Sequence, residues 1–590
     1  MLVSAESCTF RWFGYILKMA PTPIIGSIVM LKTHFIALLL MLLTGCGGGS
    51  DSTLSSQPTP EPPPSPPVNI IQADAARFLN HATFGAKMSE IEALAETGNV
   101  ETGYTNWIKA QIALPASSHV KYLTALEPTL NLVENEQLWH EHRVEAWFTH
   151  ALTAPDQLRQ RVAFALSEIF VVSDDSAFGD DIYGFANYND LLVNNAFANY
   201  RDLLENVTLS PIMGMYLSML GNQKPNDENN IRPDENYARE VMQLFSIGLV
   251  ELNLDGSTKL ENGNSIPTYD QNIIKAFAHV YTGWNFNGTT TQSWWDFNQN
   301  YNTMLPMTPV EAFHDKSEKI LFNNVVIPAN RTANQDLKIA LDTIFNHPNV
   351  GPFISKQLIQ RLVTSNPTPA YIERVAKVFN DNSQGVRGDL SAVITAILID
   401  DEALNGYKNN PQTFGKIREP LLRATHLWRA FDASSPSERF QMGYPEYFFK
   451  QAPLSAPHVF NFFSPSYAPP GVISDNNLVA PELEIATENY LTRTSNFFAY
   501  STFWGNTDMD PNDVENDRIL IDLSQLKPLA NDTDKLLDYL NILFFSGSMN
   551  DEVKNILKTA YDQTSGEDVP QRLSNLLFLI MVSPQYIVQQ

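Results

Sequence analysis

Asn236, Arg239, Glu240 and Gln243 recur at i, i+3, i+4 and i+7, a spacing that puts four polar side chains on one face of a helix. Glu235 stands one residue upstream. Such a set can do acid–base work: Glu235 or Glu240 would be the general acid or base, and Arg239 would hold an anionic or polar substrate group. A structural reading competes with it. Glu235 and Arg239 are also spaced for an i,i+4 ion pair, and a helix locked to its neighbours by such contacts has the same signature. The opposite face carries Tyr237, Val241, Leu244, Phe245 and Gly248 and is expected to be buried.

Other chemistry-bearing groups are sparser. His314 and Asp315 are adjacent in an irregular stretch with Glu311 three residues before, a candidate polar binding pair. A carboxylate di-metal centre would need two such pairs on helices, so no metal is assigned. His140-Glu141-His142 resembles a metal cluster in composition only, because i and i+2 diverge on a helix, and an exposed helical surface is expected there. Asp508, Asp510 and Asn512 offer oxygens at alternate positions, but Asp513 and Ile519 occupy the places of an EF-hand's glycine and glutamate. A weak calcium site is the most this loop allows, and no cofactor is expected. Trp284, Trp294 and Trp295 lie among Asn and Gln residues, as aromatic platforms for sugars do; the alternative is that these rings plug the core. Phosphate-loop, dinucleotide, nucleophile-elbow and zincin signatures are all missing.

The elements that must position these groups read as helices. Thr153-Ala-Pro-Asp156 has the form of a capping box, followed by Leu158, Val162, Ala165, Leu166 and Ile169 on one stripe. Ser210-Pro211 opens a segment stopped by Gly221 and Asn222, and further helices fit 336–345, 350–363, 370–380, 390–399, 419–431 and 570–581. Strand signals are few. Asn253-Leu-Asp-Gly256 and Asn262-Gly263 predict a short β-hairpin, and 282–330 is an aromatic-rich irregular excursion with room for small strands. The expected fold class is mainly α, a large multi-helix globular body; its length favours more than one lobe, since single cores stop growing at about 250–300 residues.

One group of segments carries a family resemblance. It comprises Ala76-Arg-Phe-Leu-Asn-His-Ala-Thr-Phe-Gly85, Arg159-Gln-Arg-Val-Ala-Phe164, Pro233-Asp-Glu-Asn-Tyr-Ala-Arg-Glu240, Tyr281-Thr-Gly-Trp284, Phe313-His-Asp315, His347-Pro-Asn-Val-Gly-Pro-Phe353, Arg387-Gly-Asp-Leu390, Lys416-Ile-Arg-Glu-Pro420, Phe460-Asn-Phe-Phe-Ser-Pro465 and Ser583-Pro-Gln-Tyr586. In this order they resemble the bacterial domain of unknown function 1800 across 71–590. The resemblance implies an exported protein without an assigned activity, often encoded beside an exported family that resembles sulfatases, hence a possible sulfatase-like partner protein. His279 and Phe245 depart from the Arg and His that many relatives carry, so no family role is carried over to them.

Composition bounds the partners. The chain has 590 residues, 44% hydrophobic and 18% charged, an ordinary globular profile. A formal net charge of −26 excludes a polyanion such as nucleic acid as partner. Phe35 to Leu43 is apolar, follows Lys32 and ends in Leu43-Thr-Gly-Cys46, a lipoprotein signal with its acylated cysteine. Residues 1–29 are expected to be a mis-assigned upstream extension, 30–45 the signal peptide and 46–70 a Gly/Ser/Pro-rich tether. Cys46 would then be the lipidation site and the bilayer a partner through its acyl chains. Gly47 after the cysteine predicts sorting to the outer membrane. The only other cysteine, Cys8, lies before the cut, so thiol chemistry and disulfides are excluded from the mature body. The expected function is to bind or process an extracytoplasmic polymer, a glycan; the alternative is a non-catalytic partner or export factor for another exported protein.

Overall fold

Helices form where apolar periodicity and a capping side chain coincide. Asp389 accepts the Ala392 N–H and starts Leu390–Ile399; Thr368 caps Pro369–Asn380 with proline in its first turn; Asp568 does the same for Val569–Met581. The computed structural model describes residues 70–590 except 98–99, 131, 133–135, 177–178 and 508–516. The signal, Cys46, the tether and the Asp508–Asn512 loop therefore lie outside the described residues. Among the described residues the fold is mainly α, with small two-stranded sheets between helices. The hairpin pairs Leu260 with Ser265 and Glu261 with Asn264 around Asn262-Gly263, both at positive φ. In the excursion, Trp284–Asn285 pairs with Thr308–Pro309, and Lys319–Ile320 with Val326–Ile327.

One apolar core runs from Ala73 to Tyr586, with two small satellite clusters, and the described residues belong to one compact unit. Separate lobes, which chain length suggested, are not how these residues pack. Leu158, Val162, Ala165, Leu166 and Ile169 are all buried, as their stripe predicts. The capping box at Thr153 does not form, however. Thr153 ends His140–Thr153, and the next helix starts at Gln157 because the Asp156 carboxylate accepts from the Ser117 N–H (3.0 Å), Ser117 Oγ (2.6 Å) and Gln160 Nε2 (3.1 Å). None of the described helices is long and apolar enough to cross a membrane.

Candidate functional site

The helix Asn236–Gln243 buries Tyr237, Ala238, Val241 and Met242 and leaves Asn236 exposed and Arg239 and Gln243 half-buried, but Glu240 of the expected polar face is buried as well. Arg239 Nη2 lies 3.3 Å from Glu235 Oε2, and Gln271 Nε2 donates to the same oxygen at 2.7 Å. The pair is partly solvated, so Arg239→Ala is expected to lower stability by no more than about 1 kcal/mol in urea unfolding. Glu240 turns inward. Burial raises its pKa, with Arg239 opposing, and its buried Oε2 makes no hydrogen bond.

His314 and Asp315 sit in different networks from that helix. The His314 ring is buried between the Thr282 carbonyl (Nδ1, 2.9 Å) and Asp336 (Nε2, 3.2 Å), and Lys319 Nζ donates to Asp336 at 2.9 Å. Burial pushes the Asp315 carboxyl up, but hydrogen bonds from His279 and Ser317 outweigh it and hold Asp315 well below the usual carboxylate range. Gly283 makes the junction possible. It has φ +86°, and a Cβ there would lie 2.8 Å from the His314 backbone nitrogen. Glu235, Arg239 and Glu240 thus share no hydrogen bond or ion pair with His314 or Asp315 among the described residues.

The aromatic platform is corrected more sharply. Trp284 and Trp294 are buried, Trp294 stacking on Phe313 with centroids 4.1 Å apart; only Trp295, 65% exposed, could face a ligand. Trp294 is packed under the excursion by Phe313, while Phe286 meets Phe297 and Tyr301. His140 is also corrected. Rather than lying on an open surface, it is half-buried, with Nδ1 2.6 Å from Asp174, and the Asp174 carboxylate also accepts from Arg143. Among the described residues no group of three or more His, Cys, Asp or Glu is arranged to hold a metal ion.

A cavity of about 470 Å³ lies elsewhere, lined by Trp107, Trp428, Gln111 and Gln157 together with two ion pairs. Arg429 Nη2 reaches both oxygens of Glu90 (2.9 and 3.1 Å), and Lys87 Nζ reaches Asp432 (2.6 Å), so the charges cancel in pairs. Gly85 lets this wall close up: at φ +127° its carbonyl accepts from Arg429 Nε, and a Cβ would meet His426 Cα at 2.4 Å. Two of the lining residues each carry a buried polar atom without a hydrogen-bond partner. These atoms are the Trp428 indole N–H, a donor, and Gln157 Oε1, an acceptor whose own Nε2 is engaged by the His150 and Ala154 carbonyls. Sequence reasoning missed this site, because its walls come from distant segments with no shared local spacing.

A family model, "Protein of unknown function (DUF1800)", matches residues 77–588. The chain belongs to this family. No curated protein matches, and neither does any solved structure.

The DUF1800 segments explain themselves in the fold. Arg161, Arg361 and Lys416 meet Glu168, Glu419 and Glu482 in a fully buried charge cluster. Lys416 Nζ lies 3.2 Å from Glu419 and 3.3 Å from Glu482, while Arg361 Nε lies 3.6 Å from Glu168. Gln451 donates to Glu419 (2.7 Å) and Asn461 to Glu168 (3.2 Å). Burial raises the pKa of Glu168 and of Glu482; for Glu419 the cations, Lys416 first, win over burial and lower it. Burial and the nearby cations Arg77, Arg418, Arg161 and Lys416 push the His81 imidazole down to about 3. Asn349, from the 347–353 segment, donates to the Ile247 and Val250 carbonyls at 2.8 Å and ties the stretch after Asn236–Gln243 to the start of Val350–Leu362.

Proposed function

We propose that this chain is an exported lipoprotein, anchored by acylated Cys46 at the outer membrane, that binds a neutral glycan in the cavity between Trp107 and Trp428. The observation that carries the reading is the lining of that cavity, in which two tryptophan rings stand beside the amides of Gln111 and Gln157 and the charges cancel in pairs. A hydroxyl group is donor and acceptor at once, so a polyhydroxylated ligand suits a lining of amides and apolar rings. Half-buried Trp107 supplies apolar area for a sugar ring, and paired charges give a neutral site. Binding is favoured over processing. Glu90 and Asp432 are each tied to a cation, and the other acid–base candidates lie in separate networks. The charge of −26 disfavours nucleic acid, and acylation would leave the body free of any need to bind lipid itself.

The test is retention of envelope polysaccharide by the purified full-length protein, with released sugar measured alongside. Trp107→Ala is expected to weaken retention by about tenfold, or about 1.4 kcal/mol. Glu240→Gln should change nothing, and no product should appear. If no polymer is retained, the glycan reading falls. The role left is that of a non-catalytic partner or assembly factor for an exported protein such as the sulfatase-like one.

A further inference from the structure

Arg418 and Arg423 are buried, 6% exposed each, and neither is ion-paired among the described residues. Carbonyls take only part of their donor capacity. Arg418 Nε donates to Tyr586 (3.0 Å) and Arg423 Nη2 to Met581 (2.6 Å), while ring faces of Tyr586 and Phe498 cover the guanidinium planes at 5.1 and 4.7 Å. Arg423 Nε is buried and makes no hydrogen bond. Two adjacent buried cations without an anion are costly, because desolvation is compensated only by an opposite charge. Both line one pocket of about 60 Å³.

The rest of that pocket states what kind of anion fits. Its walls are mainly apolar, among them Ile417, Phe449 and Ile485, and exposed Leu491 brings it to the surface. Glu482 also lines it, but its Oε1 faces Lys416 at 3.3 Å and burial raises its pKa, so it does not pair with either arginine. Where one water needs on the order of 10–15 Å³, this volume holds a carboxylate and a few carbons. We propose that the pocket floored by Arg418 and Arg423 binds a short-chain monocarboxylate, its carboxylate on the two guanidinium groups and its aliphatic stem toward Leu491. This site is independent of the glycan cavity, which shares none of its lining.

Calorimetric titration of the full-length protein with sodium butyrate, against butyramide and sodium chloride at matched ionic strength, tests it. Butyrate is expected to bind with a dissociation constant below about 1 mM, at least tenfold tighter than butyramide, with no heat from chloride. Arg423→Met should abolish binding. Should that variant not fold, Ala486→Leu, which fills the lining from a partly exposed turn, is expected to weaken butyrate at least tenfold with the melting temperature unchanged. Equal binding of butyrate and butyramide, no butyrate heat, or butyrate binding indifferent to Ala486→Leu each overturns the proposal.

Discussion

Glu419→Ala is expected to destabilise the protein by about 3–5 kcal/mol, the largest loss of any single charge removal considered for this chain. Glu419 is fully buried and holds Lys416 at 3.2 Å and Gln451 at 2.7 Å, in the field of Arg161 and Arg361. Without it, Lys416 keeps the Arg361 carbonyl at 2.9 Å and, as carboxyl partner, Glu482 at 3.3 Å, which burial pushes toward its neutral form. Two arginines and a lysine would then share a dry interior with Glu168, which burial likewise drives toward neutrality. Urea unfolding at pH 7 checks this, with Arg239→Ala as the mild comparison. A loss under about 1 kcal/mol would mean that water reaches the cluster.

Stability is expected to fall steeply as pH drops from 6.5 toward 3. Burial lowers the His81 pKa to about 3 and that of His150 to about 4, and His426 is displaced in the same direction. An unfolded imidazole takes its proton near pH 6.5, so below that value the unfolded state binds more protons and gains on the native one. Each of His81 and His150 puts on the order of 3–5 kcal/mol at stake over that range. Glu168 and Glu482 act oppositely. Their raised pKa values give stability that is full below the unfolded carboxyl value, near 4.5, and is lost as pH rises through the folded values. The melting temperature should therefore peak at mildly acidic pH, and His150→Gln should flatten the acid limb. A profile flat from pH 4 to 7 in the parent protein would contradict the burial of these rings.

Local signals were readable wherever the physics was local. Leu390–Ile399 lies where its apolar run places it, and the Asn262-Gly263 turn makes the hairpin it predicts. Thr153-Ala-Pro-Asp156 misled because Asp156 is used by Ser117, from the distant connection between Val100–Ala113 and His119–Leu126, and no spacing shows that. Trp294 could be read as displayed or buried until Phe313 was seen stacked on it. The polar face of Asn236–Gln243 was legible apart from buried Glu240, yet its convergence with His314 and Asp315 was a tertiary question, and the fold answers it with separate networks. Lys416 and Glu419 sit three apart and could have been paired from sequence. Glu168 and Glu482 could not, since only long-range packing brings them in.

Two of the family segments meet in that interior: Arg161, Lys416 and Glu419 belong to the charge cluster, and Arg418 lines the arginine-floored pocket. Trp107, Gln157 and Trp428 carry the binding claim. Hydroxyl-radical footprinting of the full-length protein, with and without envelope polysaccharide, tests that claim most directly. The account predicts protection concentrated on Trp107 and the 152–157 and 428–433 segments lining the cavity. Protection centred instead on Trp295 and Tyr301, or on none of these residues with polymer bound, would contradict it.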